Sequence, residues 1–197
     1  MSNIVILTGA GISADSGLAT FRERAGIWER YAIEDVATPE GFAGDPDNAH
    51  AFYSELRSAC RAAQPNQAHL ALAKLEQRHD GGFLLITQNV DDLHQRAGSR
   101  NVRAMHGEIL RSRCEGEGCG HVWDAPTQTS PHDRCPVCNR ADCRPDIVFF
   151  GEYARFIEEI NVALEAADLF AMIGCSGRVR PASEFMAYAK ARGAETV

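Results

Sequence analysis

A glycine-rich turn that directly follows an apolar strand constrains the fold of this chain more than any other feature. Residues 3–8 (NIVILT) form a β-branched, apolar run that is typical of a buried parallel strand. Gly9, Gly11 and Ala14 then match the pattern G-x-G-x-x-G/A, whose glycines allow a tight turn and a close approach of the backbone to a phosphate. The pattern therefore predicts a nucleotide site at the start of a helix, although a purely structural turn would give the same letters.

Length and composition indicate one main globular domain with a small insert. The chain has 197 residues, of which 45% are hydrophobic and 24% charged. Its formal net charge of −7 argues against a nucleic-acid partner, which would need clustered lysine and arginine. The N-terminal apolar run is too short for a signal-peptide core or a membrane span. We therefore expect a cytoplasmic protein with no membrane partner.

Strand-like and helix-like segments alternate along most of the chain. The segments with helical spacing are 46–60, 66–79, 91–97, 156–167 and 182–192, and the strand-like segments are 82–87, 101–106, 146–150 and 168–173. This alternation predicts an α/β fold with a doubly wound, Rossmann-like parallel sheet, whose ligands bind beyond the carboxyl ends of the strands. We assign residues 1–112 and 144–197 to this nucleotide-binding domain, with a helical and loop insert at 29–65 and a small metal-binding domain at 113–143.

Four cysteines have the spacing of a zinc ribbon. Cys114-x4-Cys119 is followed by Cys135-x2-Cys138, and two such pairs can surround zinc as a tetrahedron of thiolates. The segment between the pairs is rich in turns and too poor in apolar residues to hold a core without a metal. A site with four thiolates leaves no open position for substrate, so we expect one structural Zn²⁺ per chain. Other residues that could replace a ligand are Cys143, His121 and His132.

Polar residues follow two of the predicted strands. Asn89 and Asp91 come directly after the strand that ends at Thr87, and His106 ends the next strand. A histidine with a pKa near 6.5 suits a general base at neutral pH, but a lone histidine is more often structural. Asn89 and Asp91 also have a common structural use as helix caps. Both interpretations stay open on these residues alone.

Taken together, these motifs resemble the sirtuin family of NAD-dependent protein-lysine deacylases over nearly the whole chain. The resemblance assigns cofactor contacts to Gly9, Ala10, Gly11, Ile12, Ser13, Ser16, Gly17, Phe21, Arg22, Trp28, Gln88, Asn89, Val90, Asp91, Gly174, Cys175 and Ser176. It assigns peptide contacts to Val148, Phe150, Gly151, Glu152 and Val179, with zinc at the four cysteines. Cys175 stands where the family has a hydroxyl residue, so one cofactor contact is expected to be weaker.

The resemblance also implies a mechanism and a set of partners. Asn89 and Asp91 would hold nicotinamide while its bond to ribose breaks, and the acyl oxygen of an acyl-lysine would attack the ribose carbon. His106 would then accept a proton from a ribose hydroxyl, with Phe21 shielding the site from water. The products would be nicotinamide, free lysine and O-acyl-ADP-ribose. The partners would be acyl-lysine proteins or peptides bound as an added strand, and we expect a monomer.

One departure from the family bears on the acyl group. Phe52 and Tyr53 resemble the branch that removes acidic acyl groups, where a tyrosine and an arginine three residues later bind the acyl carboxylate. Leu56 occupies the place of that arginine, and an aliphatic side chain cannot replace a bidentate contact. Arg57 lies one residue further along the helix, so a small rotation would bring it to the site. Because Leu56 cannot bind a carboxylate, we expect acetyl-lysine as substrate and only poor activity on succinyl-lysine.

Three other functions fit parts of the sequence. The chain ends at 193–197, where a last strand begins and before the family's asparagine-containing segment, so an impaired module that binds acyl-lysine or ADP-ribose is the main alternative. A dehydrogenase would need an acidic residue at the end of a second strand about twenty positions on, and Glu29 and Glu34 have no strand before them. An ADP-ribosyl transferase would use the same site and label protein.

Overall fold

The computed structural model describes residues 2–20 and 29–197. The chain divides into two compact units: Met1–Thr20, Ala63–His106 and Ala154–Val197 form the first unit, and Phe21–Ala62 and Gly107–Tyr153 form the second. Residues 107–112 and 144–153, which the sequence placed in the Rossmann-like domain, belong to the second unit, together with residues 29–62 and 113–143 of the predicted inserts. Within the described ranges, no helix combines the length and the apolar character needed to cross a membrane.

Eight strands and seven α-helices make up the described parts of the two units. In chain order they are β1 (Ile4–Thr8), a 3₁₀ helix (Ala10–Ser16), α1 (Ile33–Val36), α2 (Pro39–Gly44), α3 (Pro46–Ala62), α4 (Gln67–Arg78), β2 (Phe83–Thr87), α5 (Leu93–Ala97), β3 (Val102–Ala104), β4 (Gly107–Cys114), β5 (Val122–Asp124), β6 (Cys143–Ile147), α6 (Ile157–Glu165), β7 (Leu169–Ile173), α7 (Ala182–Ala191) and β8 (Glu195–Thr196). The predicted helices and strands are confirmed apart from shifts of a few residues at their ends.

The first unit is built on a parallel sheet with the strand order β3-β2-β1-β7-β8. β1 lies in the middle and is buried along its whole length, which is why its sequence is apolar without a polar alternation. Ile4 and Ile6 pack on one face of the sheet with Leu72 of α4. Val5 and Leu7 belong to a second cluster, which includes residues of α6 and α7. The predicted Rossmann-like sheet, covered on both faces, is confirmed.

The second unit contains an antiparallel sheet with the order β5-β4-β6. The sequence predicted that residues 146–150 form a strand of the parallel sheet, and this prediction is wrong. β6 ends at Ile147 and pairs with β4, so that Gly107 lies opposite Ile147 and Cys114 opposite Cys143. A short apolar run indicates a buried strand but carries no information about the partner strand, which explains the error.

Two histidines are buried in contact with each other beside β1. His94 on α5 is 1% exposed, and its Nε2 lies 2.9 Å from Oγ1 of Thr8. His69 on α4 is also buried, and its ring centroid lies 4.8 Å from that of His94. Burial, reinforced by His69, lowers the pKa of His94 to about 3, and burial also lowers the pKa of His69. The His94 ring is therefore neutral in the folded protein at mildly acidic pH.

We expect this pair to make the fold sensitive to acid. Between the ordinary histidine pKa near 6.5 and the folded value of His94, the unfolded chain binds a proton that the folded chain excludes, so stability falls as the pH falls. The expected slope from His94 is about 1.4 kcal/mol of unfolding free energy per pH unit. Urea denaturation at several pH values below neutrality should show a shallower slope in His94→Asn than in the unchanged protein. Identical slopes would contradict the prediction.

Candidate active site and metal centre

The glycine-rich turn packs against a second turn at the point where the strand order of the sheet reverses. The Gly9 N–H donates to the carbonyl oxygen of Ile173 at 3.1 Å, and that of Gly11 donates to Gly174 at 2.9 Å. A Cβ added at Gly11 would lie 2.8 Å from the Gly174 oxygen, and one at Gly174, whose φ is +65°, would lie 2.4 Å from the Ile12 nitrogen. Glycine is thus required for the two turns to meet, at the position where doubly wound sheets bind nucleotides.

A buried polar cluster joins the 3₁₀ helix to the segment after β2. Ser13 Oγ donates to Asp91 Oδ2 at 2.9 Å, and Asn89 Nδ2 donates to Ser13 Oγ at 3.0 Å. All three side chains are at most 7% exposed. The other Asp91 oxygen accepts from the Leu93 N–H at 3.1 Å. Burial raises the pKa of Asp91, and the hydrogen bonds from Leu93 and Ser13 oppose that shift. Asp91 thus accepts one N–H at the start of α5, whose N-cap residue is Asp92, and it also binds Ser13.

The hydrogen bonds of His106 define its tautomer. Its Nδ1 lies 2.9 Å from the carbonyl oxygen of Gln88, and because a carbonyl only accepts, Nδ1 carries the proton. In the neutral ring Nε2 is therefore the basic nitrogen. Burial lowers the pKa of His106, while the bond to Gln88 acts in the opposite direction. The Gln88 N–H in turn donates to the Thr8 carbonyl at 2.9 Å, which ties the carboxyl ends of β1, β2 and β3 together.

Asn66, the first residue of the predicted helical segment 66–79, caps α4 and also reaches this region. Its side-chain oxygen accepts from the Ala68 N–H at 2.9 Å, as that cap requires. Its Nδ2 also donates to the Ile12 carbonyl at 2.7 Å and to Ser16 Oγ at 3.0 Å. Asn66 thereby fixes the 3₁₀ helix that follows the glycine turn. The sequence Pro65-Asn66 is typical of a helix start, but it gives no sign of these distant acceptors.

Two further predicted cofactor residues, Cys175 and Ser176, follow β7. Cys175 is half-buried, and its thiol lies 3.6 Å from the carbonyl oxygens of both Leu7 and Ile173. Burial raises its pKa to about 11, so it acts as a neutral, weak donor. Ser176 Oγ accepts from the Arg178 N–H at 3.2 Å. The predicted contacts that lie outside the described residues are Phe21, Arg22 and Trp28.

The four predicted metal ligands of the second unit come together. The sulfur atoms of Cys114, Cys119, Cys135 and Cys138 all lie within 4.8 Å of one another. The Cys114–Cys138 and Cys119–Cys135 sulfur distances are 3.5 and 3.7 Å. A tetrahedral zinc site with Zn–S bonds of about 2.3 Å has sulfur–sulfur edges of about 3.8 Å, so the donor set fits zinc. The suggested substitute ligands Cys143, His121 and His132 lie outside this four-sulfur group.

The predicted peptide-binding segment is held in place by contacts with Arg144 inside the second unit. Arg144, which is 6% exposed, donates from two nitrogens to the Glu152 carboxylate at 2.8 and 2.6 Å. Glu152 also accepts from the Phe149 N–H at 2.8 Å, and the Arg144 guanidinium lies 3.9 Å from the Phe149 ring centroid. Phe150 is 48% exposed, and Gly151 has a φ of +94°. Glu152 therefore shapes the segment that carries Val148 and Phe150. In the first unit, Val179 is exposed.

Arg57 has a different environment from the one that its sequence position suggested. It is completely buried, and its Nε donates to the Ile109 carbonyl at 2.9 Å. One terminal nitrogen lies 3.2–3.4 Å from oxygens of Pro126, Thr127 and Thr129. The other has no partner among the described residues, but it is buried as well. This guanidinium joins α3 to β4 and to the loop after β5, and the alternative that Arg57 serves an acyl carboxylate stays a prediction.

The Tyr53 side chain is also buried and hydrogen-bonded within the second unit. It is 1% exposed, and its hydroxyl donates to the Val36 carbonyl at 2.8 Å. Its ring is stacked with that of Phe149, with centroids 6.0 Å apart, and Phe42 contacts Phe149 from another side. The neighbourhood of Tyr53 is thus an aromatic cluster.

Comparisons with known proteins agree with this arrangement. Residues 9–181 match the model of the Sir2 family. The chain is 49% identical to an NAD-dependent protein deacylase of Salmonella typhimurium, over 98% of this chain and 71% of that protein. A Sir2 homologue solved with NAD superimposes with a TM-score of 0.90 at 39% identity, covering 99% of this chain and 76% of that one.

A Sir2 protein solved with a deacetylated p53 peptide and 3'-O-acetyl ADP-ribose gives a TM-score of 0.83 at 32% identity, covering 98% of this chain and 80% of that one. The resemblance that the motifs predicted is therefore confirmed, and it extends over nearly all of the chain. The chain belongs to the Sir2 family.

Proposed function

We propose that this chain is an NAD-dependent protein-lysine deacylase. The observation that carries the proposal is the connected set of polar groups at the carboxyl ends of β1, β2 and β3. Ser13, Asn89 and Asp91 form one buried cluster, and Gln88 links the same segment to His106. Family membership and the activity named for the 49% identical relative support the same function.

The residues present suit NAD as co-substrate. The Asp91 carboxylate can accept from the amide nitrogen of nicotinamide, and Asn89 offers both a donor and an acceptor. The contact between the Gly9 and Gly174 turns provides a backbone surface at the position where doubly wound sheets bind phosphates. NAD supplies an electrophilic ribose carbon and nicotinamide as the leaving group.

His106 is proposed as the general base. Because Nδ1 donates to Gln88, the free Nε2 is the atom that can accept a proton from a ribose hydroxyl. The pKa of His106 is lowered by burial, so Nε2 stays unprotonated throughout the neutral range. His106 then holds the proton on Nε2 while the acyl group is transferred. It releases the proton to solvent afterwards, which restores the neutral ring. Phe21 stays a prediction as the residue that excludes water.

The zinc centre is proposed to be structural. Four thiolates complete a tetrahedron and leave no position for a water or a substrate oxygen. The metal would hold together the segment between β4 and β6, which contains only the short strand β5. The cytoplasmic location and the monomeric state expected from the sequence also stay predictions.

The acyl preference is proposed to be for uncharged groups, with acetyl-lysine favoured over succinyl-lysine. Leu56 brings no charge, and Arg57 is held by backbone carbonyls in a buried position. The Tyr53 hydroxyl is bound to the Val36 carbonyl. A succinyl carboxylate placed here would lose its hydration without gaining the paired cation that it needs.

Matched acetyl- and succinyl-lysine peptides test both proposals in one experiment. Each peptide is incubated with the protein and NAD, and mass spectrometry measures free lysine peptide, nicotinamide and O-acyl-ADP-ribose. We expect all three products from the acetyl peptide and a kcat/KM at least about tenfold lower for the succinyl peptide, the factor that 1.4 kcal/mol represents. Faster turnover of the succinyl peptide would contradict the acyl preference. Tight binding of peptide with no product would instead indicate the binding module, and reduced NAD would indicate a dehydrogenase.

A further inference from the structure

A cysteine outside the four-sulfur group lies directly across the antiparallel sheet from a zinc ligand. Cys143 is the first residue of β6 and Cys114 is the last residue of β4, and the two are register partners in the antiparallel pair. Cys143 is not part of the four-sulfur group, and its thiol lies 3.7 Å from the Arg140 carbonyl. Cys143 is therefore a thiol beside the metal centre that does not serve as a metal ligand.

The backbone hydrogen bonds show what kind of pair these cysteines form. The Cys114 N–H donates to His121 at 2.9 Å, away from β6, and the next N–H, that of Glu115, donates to Asp142 at 2.8 Å. Because the backbone groups of a strand alternate in direction, Cys114 and Cys143 form a non-hydrogen-bonded pair. The Cα atoms of such pairs are about 4.5 Å apart, and their side chains share one face of the sheet. Disulfides span Cα distances of about 4.4–6.8 Å, so this pair is close enough for one.

The two thiols differ in their access to small reagents. Cys143 is half-buried and lines a cavity of about 240 Å³, whose other lining residues include His50, Trp123 and Arg134. Cys114 is only 2% exposed. A small oxidant that enters the cavity therefore meets Cys143 first, and Cys114 is the neighbour that can react with the product.

We propose that peroxide converts Cys143 and Cys114 into a cross-strand disulfide, and that this removes one thiolate from the zinc centre. In the first step the Cys143 sulfur attacks one oxygen of hydrogen peroxide, the O–O bond breaks, and a sulfenic acid and hydroxide form. In the second step the Cys114 thiolate attacks that sulfur and displaces a second hydroxide. Overall, the Cys143 thiol and the Cys114 thiolate are oxidised to one disulfide; the thiol proton converts the first hydroxide to water, and the second hydroxide takes a proton from solvent.

The consequence is a zinc centre with three thiolates in place of four. Cys119, Cys135 and Cys138 keep their sulfurs, but three ligands leave the tetrahedron open and bind the ion more weakly. A thiol reductant reverses the disulfide and lets zinc bind again.

Peptide mapping and zinc release together test this inference on the zinc-loaded full chain. The protein is treated with excess hydrogen peroxide, digested without reduction and mapped by mass spectrometry, while a chromophoric chelator follows the free zinc. Cys143→Ser removes the proposed reacting thiol, and Cys143→Ala is a second variant in case serine disturbs folding. Cys60→Ser is the matched control, because it removes one thiol from α3, outside the metal centre.

We expect a peptide that links Cys114 to Cys143 in the unchanged protein and in Cys60→Ser. Both should release zinc several-fold faster than either Cys143 variant, and a reductant should reverse the linkage. Equal rates of zinc release with and without Cys143 would overturn the inference. A map with disulfides only among the four ligands, or with Cys143 oxidised and unlinked, would overturn it as well. None of these readouts depends on deacylase activity, so they are independent of the proposed function.

Discussion

His106→Ala is expected to lower kcat for an acetyl-lysine peptide by about 10²–10⁴-fold, because it removes the only atom proposed to accept the ribose proton. The fold should be retained. His106 is half-buried, and its hydrogen bond from Nδ1 to the Gln88 carbonyl lies just after the end of β3. Steady-state deacylation measures the loss, and circular dichroism with thermal unfolding measures the fold.

The matched control for this variant is His79→Ala. His79 follows α4 in the same unit, and its contact is with the Ser2 carbonyl at 2.7 Å, so its loss should leave kcat unchanged. The pH profile gives a second, independent readout. Because burial lowers the pKa of His106, the acidic limb of kcat/KM should lie below the ordinary histidine value near 6.5. Unchanged turnover of the alanine variant would show that His106 is not the base.

Removal of the zinc is expected to unfold the second unit's antiparallel sheet. Structural zinc binds four-cysteine and related sites with about 10–16 kcal/mol, which is comparable with the whole stability of a small domain. Cys135→Ser or treatment with a strong chelator should therefore abolish the cooperative thermal transition of this unit. Fluorescence of Trp123, which stacks on His121 beside the cysteine cluster, can follow the change.

Two comparisons make the zinc prediction specific. Cys60→Ala removes a cysteine of α3 and should still bind one zinc per chain, measured by atomic absorption. Re-addition of zinc to the chelated protein should restore the transition, since the metal supplies folding free energy. A chelated protein that melts with an unchanged midpoint would show that the four sulfurs do not depend on a metal for their arrangement.

The local features of this fold could be predicted because they depend on neighbours in the chain. The apolar run of β1, the glycine turn after it and the cap at Asn66 each follow from the side chains and backbone freedom of adjacent residues. The cysteine spacing similarly limits which four sulfurs can close a tetrahedron. The sheet order was predictable to the extent that alternating strands and helices allow few topologies.

The contacts of individual site residues could not be predicted in the same way. Ser13 and Asp91 are 78 positions apart, and no pattern in either segment specifies that their side chains bond. Arg57 is a further example, because the acceptors of its guanidinium come from β4 and from the loop after β5. The position of Arg57 one residue after Leu56 suggested a role at the acyl group, and it gave no sign of these distant acceptors.

The sequence by itself determined the elements, the zinc ligands and the family, because periodicity, turn chemistry and motif spacing are local properties. Only the tertiary structure decided that β6 pairs with β4, that Arg57 is internal and that Cys143 faces Cys114. Strand partners and buried hydrogen bonds depend on which distant surfaces lose water together. Strand pairing and buried contacts therefore depend on the packing of the whole chain, and no local stretch of sequence specifies them.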